Sequence, residues 1–281
     1  MRKEKIRETD FDASRELPSN RRSQFFDLFK HRFLDLFKLT LLLDLFILPL
    51  FAVYLLFSIL ISGSDPTLTY TLYFYMSLAF IPCVWILYVG LGGIVEPLKQ
   101  MIWGEGESNP SMFFKGIKRN IKASLIGGFI ESISIFGVMF GTIYLLTHAP
   151  ESKNNWIMGV GIGLLAAQAI IITMITFFLV MQNTTFENTV FGMLRNSFIF
   201  SLARLPINLL FIIIFPGVSV ALFIIPTTIT PYIGIALTLL FNGIGLLIWA
   251  LNSISLFDIY INENQNPDYY HKGLAKETKE D

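Results

Sequence analysis

Between Leu39 and Phe257 the chain consists of long apolar runs broken by short polar stretches. A helix that crosses a bilayer needs about twenty mostly apolar residues to traverse roughly 30 Å of hydrocarbon. About six runs meet that requirement: residues 39–61, 70–91, 124–147, 156–182, 207–225 and 232–257. Pro216-Gly217 falls inside the fifth run and predicts a kink there, which neighbouring helices accommodate by satisfying the freed carbonyl. The expected fold class is all-α, a polytopic transmembrane helix bundle. One membrane domain, residues 25–260, is expected between a basic, disordered arm (1–24) and a polar tail (261–281).

The polar stretches carry a pattern of their own. In "FFKGIKRNIK", Phe113, Phe114, Ile117 and Ile121 recur at helical spacing, and Lys115, Lys118, Arg119 and Lys122 take much of the remaining surface. That is an amphipathic elbow helix near residues 111–122, opened by the start signal Ser108-Asn109-Pro110-Ser111. It is expected to lie on the membrane surface, with Phe113 and Phe114 at the acyl boundary and Lys118 and Arg119 among anionic head groups. Similar elbows are expected near residues 25–37 and 187–203, suggesting three tandem units of one elbow and two spans. Composition offers the competing account, since any such elbow drifts towards Phe plus Lys or Arg.

Charge placement adds an orientation. If the side holding both termini is the cytoplasm, all but one of the 21 lysines and arginines fall on it, the exception being Lys153. This is the bias that sets membrane topology. The arm is too long and polar for a cleavable signal, and no small-residue cleavage site follows it, so the first span reads as a signal anchor. Charged residues make up 15% of the chain and hydrophobic ones 53%, against roughly a quarter charged in soluble domains. The net charge is zero, so no nucleic-acid partner is expected; the expected partners are the lipid bilayer and other membrane proteins.

Three segments occur in a recognisable order: "TLLLDLFILPL" (Thr40–Leu50), "GLGGIVEPLKQMIWGEGE" (Gly90–Glu107) and "FFKGIKRNIKAS" (Phe113–Ser124). In this order the chain resembles the YesL-like family of bacterial integral membrane proteins, best over residues 22–132. The family's usual Thr-Ile-Gly-Pro segment is here Gly-Leu-Gly-Gly-Ile-Val-Glu-Pro. The resemblance implies a bacterial plasma membrane and a place beside carbohydrate uptake or sensing systems. It implies no catalytic residues and no assigned molecular function.

Polar residues within apolar runs are the remaining candidates, because ionisable groups are costly in hydrocarbon. Asp44 lies inside the first run and Glu131 inside the third. Glu96 and Asp258 lie near the ends of the second and sixth and read more simply as interfacial. With Asn242 they would form an acidic pocket if they converged, neutralised by Lys38, Lys99 or Arg204. Asn242, Asn252 and Gln168 are expected to bond across helices. Gly137/Gly141 and Gly159/Gly163 form G-x-x-x-G pairs, expected to pack the third span against the fourth.

Catalytic chemistry finds few carriers. Ser219 has no base, since His31, His148 and His271 all fall at or outside the interface. No H-E-x-x-H, Cys/His cluster or P-loop occurs, so no metal, cofactor or enzymatic activity is expected. Cys83, the single cysteine, reads as a buried inert thiol. The expected role, from the resemblance alone, is an accessory or regulatory membrane partner. The alternative is a small-solute transporter or channel using Asp44 and Glu131.

Overall fold

The computed structural model describes residues 17–105, 110–148, 155–186, 188–218, 222 and 229–275, and among these there is no strand. Four long helices come first: α1 (Arg21–Ser62), α2 (Pro66–Trp103), α3 (Pro110–His148) and α4 (Asn155–Thr185). The short α5 (Val190–Ala203) and α6 (Leu205–Ile212) follow, the latter widening into a π-turn at Ile213–Gly217. The long α7 (Thr230–Phe257) then leads through a π-turn (Asp258–Asn262) and one short helical turn, α8 (Glu263–Gln265). Helices α1 to α4 and α7 are each long and apolar enough to cross a membrane, so the chain is an all-α, multi-pass bundle.

The three elbows have three different relations to their spans. In α1 the elbow and the span form one helix with a break at Arg32 (φ −122°, ψ 18°). Its start is fixed by Asn20, whose side chain accepts from the Arg22 and Ser23 amides, while Ser23 Oγ accepts the Asn20 amide. The N-terminal arm therefore ends earlier than expected, since Arg21–Gln24 are helical and Gln24 is buried. In α3 elbow and span run on without a break. Only α5 is separate, meeting the following helix at 93°. The cause is Pro206, which has no N–H to give to the Leu202 carbonyl, so α5 stops at Ala203. The corner is held by Asn208, whose amide donates to the Phe200 and Ser201 carbonyls at 3.0 Å each. These carbonyls are among those a helix end leaves open. The expected kink at Pro216-Gly217 takes the form of the π-turn; the remainder of the fifth run lies largely outside the described residues.

Helix α2 is the centre of the bundle. Of its apolar window 56% is buried, against 11% for α1 and 17% for α3, whose apolar sides face outward. Such broad outward apolar surfaces suit a lipid environment and not water. Leu91, Ile94, Val95 and Leu98 of α2 pack with Phe178 and Met181 of α4 and with Leu247, Trp249 and Ile254 of α7.

The crossing of α3 over α2 explains the Gly-Gly…Pro signature of α2. Pro97 cannot donate to the carbonyl four residues back, Gly93. Gly116 of α3 presses against that carbonyl; a Cβ built on it would stand 2.6 Å from Gly93 O. Asn120, one turn on, donates its amide to the Gly92 carbonyl at 2.9 Å and accepts from Asn183 of α4 at 2.7 Å. Phe113 thus fills the space beside Gly93 and Phe46, and it is fully buried. This corrects its placement at the lipid surface: glycines on α2 draw the elbow onto the bundle. Phe114, Lys118 and Arg119 remain on the outer side.

Both ends of the described chain meet at one end of the bundle, where the Ala275 amide donates to the Pro18 carbonyl at 3.1 Å. The Gln24 side chain bridges the Ile102 carbonyl (2.6 Å) and the Gly273 carbonyl (3.0 Å). Gly273 sits at φ +81°, where a side chain would run into Ile102 O, so only glycine suits the position. Lys272 pairs with Glu105 at 2.5 Å and lies over Trp103, 4.4 Å from the ring centroid. The first part of the expected polar tail, through Ala275, is thus built into the fold.

Candidate functional site

The acidic residues singled out by the sequence are all buried: Asp44, Glu96, Glu131 and Asp258 are 3 to 7% exposed. They do not form one pocket. The structure divides them among four partner sets, on different helix pairs.

Asp258, read from the sequence as interfacial, is the buried anchor of the terminal clasp. It accepts from Arg21 Nη2 at 2.7 Å and from Asn262 Nδ2 at 2.9 Å. Arg21 also donates to Gln24 Oε1 (2.8 Å) and the Lys272 carbonyl (3.0 Å). Four-residue spacing within the closing π-turn brings Asn262 back to Asp258. A buried pair of this kind holds only when further hydrogen bonds support it; here Gln24, Asn262 and the Lys272 carbonyl supply them, while Arg21 Nε has no partner among the described residues.

Glu96, also expected at the interface, is buried where α2, α3 and α4 meet. Lys99, one turn along α2, pairs with it at 3.2 Å and donates to the Thr184 carbonyl at 3.0 Å. Arg119 reaches both carboxylate oxygens, at 3.2 and 3.3 Å. Of the three neutralising cations considered, Lys99 alone serves an intramembrane candidate. Lys38 pairs with Asp35, and Arg204 donates to Ser255.

Asp44 faces α7, accepting a long hydrogen bond (3.4 Å) from Asn242. Beside it Gly243 lets Thr40 of α1 approach closely. Asn252 likewise bonds across helices, to Asn208 at 3.0 Å, as expected. Gln168 faces outward and makes no such bridge among the described contacts.

Glu131 has the most distinctive surroundings. Thr173 Oγ1 lies 2.7 Å from Oε1 and Thr176 Oγ1 lies 3.1 Å from Oε2. Tyr88 of α2 reaches the carboxyl and also lies 2.5 Å from Thr176 Oγ1. The partners are hydroxyls only; among the described residues no lysine, arginine or histidine is paired with Glu131. The hydroxyl partners escaped the sequence reading. The three-residue spacing of Thr173 and Thr176 puts both on one face of α4, but nothing local says which helix that face meets.

Among the G-x-x-x-G glycines only Gly141 is in close contact, against Leu165. Gly137, Gly159 and Gly163 face open space, so they do not pack the α3–α4 hairpin. Gly161, opposite Leu145, takes that part instead. Helical phase decides this: in α4 the residue two positions from either member of the expected pair points at α3.

The junction of α2, α4 and α7 is an apolar gap of about 20 Å³, lined by residues including Leu91, Leu98, Phe177, Met181 and Trp249. That holds about one water molecule. Among the described residues no group of three or more His, Cys, Asp or Glu is arranged to hold a metal ion. No family model, curated protein or solved structure matches the chain.

Proposed function

We propose that the chain is a non-catalytic accessory or regulatory partner within a bacterial plasma membrane, with both termini in the cytoplasm, serving a carbohydrate uptake or sensing system. The carbohydrate connection rests on the resemblance to the YesL-like family. The physical support is the use made of the buried polar groups. Asp44, Glu96 and Asp258 each join one helix to another, and the central junction is apolar and nearly filled. A bundle that commits its intramembrane charges to its own cohesion suits a scaffold better than a solute pathway. The test is affinity purification of the full chain in mild detergent, followed by identification of what accompanies it. Stoichiometric recovery of transporter or sensor subunits is expected. Recovery of the chain alone, with solute uptake that is lost in Asp44→Asn at unchanged protein level, would overturn the reading. Labelling of a C-terminal tag from outside intact cells would overturn the orientation.

The second reading, a small-solute carrier or channel, keeps one observation in its favour: Glu131 is a buried carboxyl that no cation among the described residues pairs with.

A further inference from the structure

We propose that Glu131 is a proton-binding site within the bundle, with Thr173 as the hydrogen-bond partner that reverses when the proton arrives and Thr176 as a donor in both states. The proposal stands apart from whether the chain carries solute.

The geometry offers two self-consistent hydrogen-bond patterns without movement of heavy atoms. Thr173 Oγ1 is 2.7 Å from Glu131 Oε1 and 2.9 Å from its own helix carbonyl, Ala169 O. Thr176 Oγ1 is 3.1 Å from Glu131 Oε2 and 3.0 Å from the Ile172 carbonyl. A hydroxyl has one proton to give, so each threonine must choose. In the ionised state both donate to the carboxylate, and Tyr88 donates to Thr176 Oγ1. In the protonated state a proton from water is bound to Oε1, which donates to Thr173 Oγ1. The Thr173 proton then turns to Ala169 O, and no other bond is made or broken.

Two further facts favour a titrating group over a fixed structural one. Among the described residues no cation is paired with the carboxyl, so none of them locks it in its charged form. Ser134, one turn along the same side of α3, is buried and its Oγ has no hydrogen-bond partner. It supplies an uncommitted hydroxyl on the face that carries the carboxyl. The titratable group facing Glu131 from α2 is Tyr88, α4 presents hydroxyls alone, and the other buried carboxyls have partners of their own, Asp44 with Asn242, Glu96 with Lys99 and Arg119, and Asp258 with Arg21.

The experiment is a pH titration of the full chain in lipid nanodiscs, followed by difference infrared spectroscopy in the protonated-carboxyl region. Wild type is expected to show a carboxyl band that disappears as pH rises and that Glu131→Gln lacks. In the double variant Thr173→Val, Thr176→Val the ionised form loses its donors, and the band is expected to persist to more alkaline pH. Because wild type is itself measured, the result does not depend on the variants folding. A wild-type spectrum without a titrating band, or one unchanged in folded Glu131→Gln, would overturn the proposal.

Discussion

The two ends of the bundle contain the same kinds of residue and use them differently. At the end where the termini meet, glycines lie against backbone: Gly116 on the Gly93 carbonyl, Gly273 on the Ile102 carbonyl. Buried charges there are paired, and asparagine amides satisfy helix carbonyls. Towards the other end Gly137, Gly159 and Gly163 face open space, and Trp156, Val160, Leu164 and Tyr232 point outward. The first end is held by specific contacts between defined atoms. The second is held by apolar packing with few such contacts, and its outer faces are left to lipid. A small residue therefore strengthens a helix pair only where it faces a neighbour's backbone.

The sharpest way to break this contrast is to remove Arg21. Its guanidinium is one partner of a pair whose side chains are 12% and 4% exposed. Removing one member of a buried pair costs about 3–5 kcal/mol, because the other charge is left uncompensated. Arg21→Ala is expected to lower the unfolding midpoint in a detergent-denaturant titration by the largest margin of any variant considered. It should also expose residues 267–275 to protease, an outcome that a general loss of helix packing would not confine to that segment. A variant as stable and resistant as wild type would remove the clasp from the account.

A smaller loss is expected from Gly116→Ala, about 1–3 kcal/mol as for overpacking at a close contact. The obstruction is the Gly93 carbonyl and not a side chain that can turn away. A cysteine pair across α2 and α3 near this crossing should show slower cross-linking in the variant. Asn208→Leu comes next. It strips hydrogen bonds from the Phe200 and Ser201 carbonyls and from Asn252, at about 1–3 kcal/mol where such groups stay buried. Hydrogen exchange at the α5–α6 corner would rise if the assignment is right.

How much of this was legible beforehand follows the same division. Period and length suffice for the spans, because crossing hydrocarbon needs little beyond apolarity, and so the helical class and nearly every span could be read directly. Phe113 was misread because a Phe-rich, Lys-rich helix looks the same whether its aromatic side meets lipid or a glycine-lined groove on α2. Lys99 was among the cations named for the acidic residues, but the arginine partners of Glu96 and Asp258 escaped the reading because Arg119 and Arg21 lie far off in sequence. Pro97 and the Gly92-Gly93 pair did carry the signal for the α2–α3 crossing: a freed carbonyl beside two missing side chains. What the sequence does not state is which helix approaches that carbonyl. The same limit hid Thr173 and Thr176 from the reading of Glu131.

The smallest expected effect tests the contrast from its other side. Gly137→Ala and Gly163→Ala introduce a methyl group where nothing lies within 4 Å. They should change stability by no more than about 0.5 kcal/mol, as for substitutions away from specific contacts. A slight gain is the more natural direction, since alanine costs a helix less than glycine does. Gly141→Ala, on the same face of α3 as Gly137, is the internal control, because its new methyl would meet Leu165 Cδ1 at 2.9 Å. That neighbour is a flexible side chain able to shift, so a modest loss is expected, well below that of Gly116→Ala. If all three glycines of the outer hairpin proved as sensitive as Gly116, the α3–α4 pair would be close-packed in the membrane, and the division between the two ends of the bundle would fail.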